Sequence, residues 1–167
     1  MQVTTIMLRA AILTVSDRSS QGLRNDASGP KLMEMLQSLG MDVAWNAVVP
    51  DDQEAIGKML MLWADESGAD LILTTGGTGL SPRDVTPEAT MAVVRRLVPG
   101  MAEAMRQASL KKTPHAMISR AVVGVRGTTL IINLPGSPKG AIENLEAVLP
   151  ALQHAIDKIK GDPSECA

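Results

Sequence analysis

Phenylalanine and tyrosine are missing from this 167-residue chain, and Trp45 and Trp63 are its only tryptophans. Core bulk must therefore come from Leu, Ile, Val and eleven Met, whose flexible side chains fill irregular gaps. Cysteine is almost absent too. Cys166, next to the C-terminus, can form neither an internal disulfide nor a paired-thiolate metal site, which fits a reducing compartment. Charge of one sign is lacking: sixteen basic and eighteen acidic residues give a net −2, so nothing provides the general attraction to a polyanion that nucleic-acid binding needs. No apolar run approaches the roughly 20 residues of a membrane span, and residues 1–9 lack the basic start and apolar stretch of a secretory leader. A soluble cytoplasmic protein is expected, with no nucleic acid and no membrane among its partners.

What is present is ordinary globular material, 45% hydrophobic and 20% charged. The length suits one domain over residues 1–167, with a core from about 8 to 161. Residues 8–15 (LRAAILTV) and 70–75 (DLILTT) are short apolar runs without alternation, the pattern of strands buried on both faces of a parallel sheet. Between them, Pro30 at a first helical position and the apolar face Leu32, Met33, Met35, Leu36 and Leu39 predict a helix that stops at Gly40. Residues 41–49 return as a strand, and Asp51 with Glu54 predicts the capped start of a second helix running to Gly68. Thr86-Pro87-Glu88 opens another helix, broken at Pro99-Gly100 and followed by a short helix over residues 101–110. Residues 122–125 and 128–134 predict a hairpin around Arg126-Gly127, and residues 138–160 a final helix, bent at Pro150, before a disordered tail. The alternation of strand and helix predicts an α/β protein, with a mostly parallel sheet covered on both sides.

In such sheets ligands bind beyond the carboxyl ends of the strands. Four stretches fall there: Thr14-Val15-Ser16-Asp17, Pro50-Asp51, residues 74–79 with Asp84, and residues 133–139. Gly76, Gly77 and Gly79 around Thr78 let the backbone approach a phosphate and turn its N–H groups inward; the plainer alternative is a tight strand-to-helix turn. Asn133, Leu134, Pro135, Gly136 and Ser137 form a second, proline-stiffened loop that could instead be only a helix start. Asp51 and Asp84 are the candidates for Mg²⁺, which takes one or two carboxylates together with phosphate oxygens; a helix cap and a solvated acid are their structural alternatives. Asp17 follows the same logic more weakly. Thr14, Ser16 and Ser119 offer hydroxyls and Arg120 a guanidinium to a phosphate. Arg95-Arg96 and Lys111-Lys112 fit solvated helix ends, and His115 and His154 lack zinc-ligand spacing.

The series TVSD (14–17), VVPDD (48–52), LILTTGGTG (71–79), PRDVTPEAT (82–90), PGMAEAMR (99–106), SRAVVGVRG (119–127) and TLIINLPGSPKG (129–140) resembles the MogA/MoaB family, most closely the G domains of gephyrin-type proteins. The resemblance runs in order from about Leu8 to Gly161. It implies a three-layer α/β/α fold, usually a homotrimer, that binds molybdopterin and adenylylates it with Mg-ATP, releasing pyrophosphate. By the same resemblance Asp51 and Asp84 occupy the catalytic, magnesium-associated positions. Nucleotide and pterin-phosphate contacts fall on Thr14, Ser16, Gly76, Gly77, Thr78, Gly79, Ser119 and the loop from Asn133 to Ser137. Molybdenum-insertion and molybdopterin synthase proteins are the partners it suggests. Some MogA members carry an insertion after NLPG; here Pro138 leads directly into the last helix. Two alternatives stay open from sequence: a MoaB-type binding or scaffold protein without turnover, and another nucleotide hydrolase on the same fold.

Overall fold

The computed structural model describes residues 7–166. Most of the leader-free stretch expected at residues 1–9, and the outer ends of the expected single domain, lie outside the described residues. Six strands form one sheet: β1 (Arg9–Val15), β2 (Asp42–Val49), β3 (Leu71–Thr75), β4 (Arg96–Leu97), β5 (Val123–Arg126) and β6 (Thr129–Leu134), ordered β2-β1-β3-β6-β5-β4. β2, β1, β3 and β6 run parallel, whereas β5 is antiparallel to both of its neighbours. The hairpin is tight because Gly127 sits at φ +56°, a left-handed conformation that a side chain would oppose.

Alternate residues of each central strand enter two separate cores. Ala10, Ile12, Leu71, Leu73, Leu130 and Ile132 pack beneath α2 (Ser28–Ser38), α5 (Pro99–Leu110) and α6 (Pro138–Ile159). Ala11, Leu13, Val15, Ile72 and Ile131 pack on the other face against α3 (Gln53–Met61), α4 (Thr86–Val93) and Trp63. These two cores are why the strands are apolar without alternation, and they make the expected three-layer α/β/α architecture a finding. Truncating a buried residue such as Ile12 or Leu60 to Ala would cost about 2–5 kcal/mol. Among the described residues no helix is long and apolar enough to cross a membrane.

Several local expectations need correction. α2 begins at Ser28 rather than at Pro30, with no side-chain cap. The cap of α3 is Asp52, whose Oδ2 accepts from Ala55 N at 2.8 Å, and Glu54 pairs with Lys58 instead of reaching back. The second helix loosens into a π turn over Leu62–Glu66, where Arg126 makes a bidentate pair with Asp65. Thr86 does not cap α4: its hydroxyl donates to the Gly76 carbonyl at 2.9 Å. Arg96 lies on the two-residue edge strand β4, too short to leave a periodic signal, and Pro99 starts α5 instead of ending α4. The helix ends at Ile159 with a turn at Lys160 and Gly161, and residues 162–166, in the expected loose tail, are without helix or strand, Lys158 Nζ donating to the Asp162 carbonyl at 3.0 Å.

Candidate functional site

β1 leads through α2 to β2 on one side, while β3 lies on β1's other side, so the chain changes direction across the sheet between β1 and β3. The loops leaving these two strands must diverge, which opens a crevice at their carboxyl ends. A cavity of about 390 Å³ lies there, and Thr14, Ser16, Asp51, Gly76, Gly77, Asp84, Gly136 and Ser137 are among its lining residues. A second cavity of about 400 Å³ adjoins it across Ser137 and the glycine turn, lined by Thr78, Gly79, Ser119, Pro135 and Ser137 among others. Both volumes suit small-molecule sites.

The glycine turn forms the shared wall. Gly76 and Gly77 sit at φ +104° and +68°, and a Cβ on Gly76 would lie 2.3 Å from the Val15 carbonyl oxygen. One on Gly77 would lie 2.3 Å from Thr86 Oγ1 and 3.1 Å from Asp51 Oδ1. No side chain fits, and backbone alone faces the ligand space. The loop after β6 is stitched to this turn: Gly76 N donates to the Leu134 carbonyl (3.1 Å), Thr75 Oγ1 to that of Pro135 (2.7 Å), and Ser28 Oγ to that of Gly136 (2.7 Å). Ser137 then caps α6, its Oγ accepting from Gly140 N at 3.0 Å. The positive end of the 22-residue α6 dipole therefore points at the seam between the cavities.

Because Asp52 caps α3, Asp51 is free to face the first cavity. Asp51 Oδ2 accepts from Asp17 N and Asp17 Oδ1 from Asp51 N, each at 2.9 Å, which locks the loop after β2 to the loop after β1. Burial pushes the Asp51 carboxyl above the usual carboxylate range; the bond from Asp17 N opposes this, and the charges of Asp17 and Asp84 push the same way as burial. Asp84 Oδ2 accepts from Ser81 N at 3.0 Å, which leaves Oδ1 without a hydrogen bond among the described residues. Hard oxygen donors on separate loops, in one cavity and in mutual repulsion, fit a magnesium ion. No three His, Cys, Asp or Glu side chains group as a metal site among the described residues, so phosphate oxygens and water would complete the shell.

Four residues expected at the ligand stand elsewhere. Asp17 lies outside both cavities, in a bidentate pair with Arg83 (both bonds 2.9 Å), which holds its carboxyl below the usual range. Arg120 is fully engaged behind the site. Its Nε donates to the Gly79 carbonyl (2.8 Å), Nη2 to that of Asp84 (2.8 Å) and Nη1 to Glu88, so it braces the loop that carries Asp84, and it lines neither cavity. Asn133 is wholly buried: Nδ2 donates to Thr74 Oγ1 (3.0 Å) and Thr90 Oγ1 (2.9 Å), and Oδ1 accepts from Val122 N (3.2 Å). Leu134 packs in the core.

The structure also adds residues that the motifs did not single out. Thr14 donates through its hydroxyl to Asp26 Oδ2 at 2.7 Å, and Asp26 and Arg24, from the polar loop before α2, line the first cavity. Arg106, Lys112, His115 and Lys139 line the second around Glu143. Lys112, exposed just past the end of α5 as expected, also lines this cavity and pairs with Glu143 at 2.8 Å. Only the proximity of these loops to the motifs could have flagged them, because α5 and α6 meet in space and not in sequence.

Fold and site together define a doubly wound α/β protein equipped at its switch point for a phosphate-bearing ligand. The chain belongs to the molybdenum-cofactor biosynthesis family described as probable molybdopterin binding domain, whose match spans residues 11–154. It is 43% identical over 157 residues to a molybdopterin adenylyltransferase of Helicobacter pylori, covering 93% of this chain and 89% of that protein. It is 47% identical over 162 residues to gephyrin of Dictyostelium discoideum, spanning 91% of this chain but only 22% of that much longer protein. Among solved structures, the molybdopterin biosynthesis enzyme MoaB of Thermus thermophilus superposes with a TM-score of 0.88 at 55% identity, over 95% of this chain and 100% of that one. The resemblance read from the motifs is borne out at the level of the family.

Proposed function

We propose that this protein is a molybdopterin adenylyltransferase, transferring AMP from Mg-ATP to the terminal phosphate of molybdopterin. The observation that carries the reading is the meeting, across one glycine turn, of an acidic cavity holding Asp51 and Asp84 with a cationic cavity holding Arg106, Lys112 and Lys139. Polyphosphate and metal belong in the first cavity. The pterin belongs in the second, with its terminal phosphate directed at the seam beside Gly77, Ser137 and the start of α6. An oxygen of that phosphate attacks the α-phosphorus of ATP; the new P–O bond forms as the bond to the β-phosphate oxygen breaks, and the electron pair leaves on pyrophosphate.

Little covalent work falls to the protein, so positioning and charge dominate. Asp51 and Asp84 would hold magnesium, which would neutralise phosphate charge when bound. Backbone N–H groups of the turn after β3 present donors without side-chain obstruction, and the bonds from Asp17 N to Asp51 and from Ser81 N to Asp84 keep the two carboxylates from swinging away. The lone terminal cysteine and the balanced charge support a cytoplasmic setting. Exposed apolar residues such as Leu97, Met117 and Ile118 support self-association, read here as a homotrimer. Molybdopterin synthase and a molybdenum-inserting protein are the pathway neighbours this reaction calls for.

The test is to incubate the purified protein with molybdopterin, ATP and Mg²⁺ and analyse the products by mass spectrometry. Adenylylated pterin and an equal amount of pyrophosphate are expected. Pterin binding without magnesium-dependent AMP transfer would instead establish a binding or scaffold protein, and ATP consumption without pterin would establish a hydrolase.

A further inference from the structure

The first cavity is lopsided in charge. Asp26, Asp51 and Asp84 line it, and Arg24 is its only cationic lining residue. Arg83 pairs with Asp17, and Arg120 holds Gly79, Asp84 and Glu88; Arg18 is exposed and unpaired among the described residues but does not line the cavity. Arg24 is exposed, and its guanidinium makes no ion pair or hydrogen bond among the described residues. Nor is it on a loosely attached loop. Leu23 N donates to the Arg18 carbonyl at 2.9 Å, and the chain reverses at Gly22, where φ is +72°. Just after Arg24, Asp26 clasps both Thr14 Oγ1 (2.7 Å) and Gly29 N (3.0 Å). These contacts fix the backbone that carries Arg24, which lines the same cavity as the turn at Gly76 and Gly77.

We propose that Arg24 grips the outer phosphates of the nucleotide and takes up the charge of the departing pyrophosphate. The inference rests on the nucleotide-binding half of the reading above. When the bond between the α-phosphorus and the bridging oxygen breaks, negative charge moves onto the pyrophosphate. The two aspartates, through a metal, can meet only part of it, and a planar guanidinium can donate two parallel hydrogen bonds to phosphate oxygens. Arg24 supplies that missing cation, and its freedom from internal partners lets it follow the product out.

The experiment uses the full chain as wild type, Arg24→Gln and Arg24→Lys. Isothermal titration measures binding of Mg-ATP, AMP and inorganic pyrophosphate, and steady-state assays follow AMP transfer. Because the Arg24 guanidinium has no hydrogen bond or ion pair among the described residues, melting temperatures should match. Arg24→Gln should weaken ATP and pyrophosphate about tenfold, the scale of an exposed charge-assisted contact, while AMP changes less than about twofold and Arg24→Lys recovers part of the loss. Equal losses for ATP and AMP, or no loss for pyrophosphate, would overturn the assignment. Should the wild type bind ATP yet transfer no AMP, the adenylyltransferase reading falls, and the binding pattern still decides the role of Arg24.

Discussion

The first cavity sets Asp26, Asp51 and Asp84 against one arginine, whereas the second gathers Arg106, Lys112, Lys139 and His115 around Glu143. The difference follows from which parts of the chain build each. The acidic cavity is made by loops leaving β1, β2 and β3, whose positions the parallel sheet dictates. The cationic one is made by the facing ends of α5 and α6 and the 3-10 turn Pro114–Ile118. One region concentrates carboxylates where a metal cation would offset their charge and that of a polyphosphate; the other offers dispersed positive charge to an anionic partner. A reaction between two phosphates needs both, joined at a wall thin enough for the reacting atoms to meet, and the glycine turn is that wall.

The largest break in the comparison is expected from Asp84→Asn. It should lower the rate of AMP transfer by about 10²–10³-fold, the scale seen when a group that stabilises transition-state charge is removed, and leave pterin affinity within about twofold. Pyrophosphate release assays with parallel pterin titrations check this, and equal rates in variant and wild type would remove Asp84 from the chemistry. The converse change, Lys112→Gln with Lys139→Gln, should raise the KM for pterin about tenfold with little effect on ATP. A shared loss for both substrates would mean that the cavities do not divide the work. A smaller, structural effect is expected behind the site. Arg120→Gln removes three hydrogen bonds, two of them to the carbonyls of Gly79 and Asp84, and should cost about 1.5–3 kcal/mol, a fall in Tm of about 4–8 °C.

That last loss should depend on pH in a stated direction. The bond from Arg120 holds the Glu88 carboxyl below its ordinary value of 4.5, so the pair's contribution is fully present above that value and fades as pH falls through the lowered one. Thermal melts of wild type and Arg120→Gln should therefore converge partly as the pH falls below 4.5, the carbonyl contacts remaining.

Much of the fold was legible because two-sided burial leaves a trace: LRAAILTV and DLILTT are short, bounded apolar runs without alternation, as central parallel strands require. The strand-end loops and their glycines followed from that. What escaped was whatever depends on a partner distant in sequence. Asp51 and Asp52 are both plausible caps, and only the backbone turn decides that Asp52 takes the role and leaves Asp51 facing the cavity. Arg120 and Asn133 carry groups suited to a phosphate, yet buried carbonyls and hydroxyls from three other elements claim them. Arg24 carries no motif at all and is drawn in only because a folded-back loop brings it to the cavity that Gly76 and Gly77 also line.

A crystal structure of the protein with Mg²⁺, a non-hydrolysable α,β-methylene ATP analogue and molybdopterin would address the division between cavities most directly. The expected result is the polyphosphate over Gly76 and Gly77, with the metal touching Asp51 and Asp84 and the pterin between Ser119 and Lys139. Both ligands in one cavity, or a metal held away from the two aspartates, would contradict it.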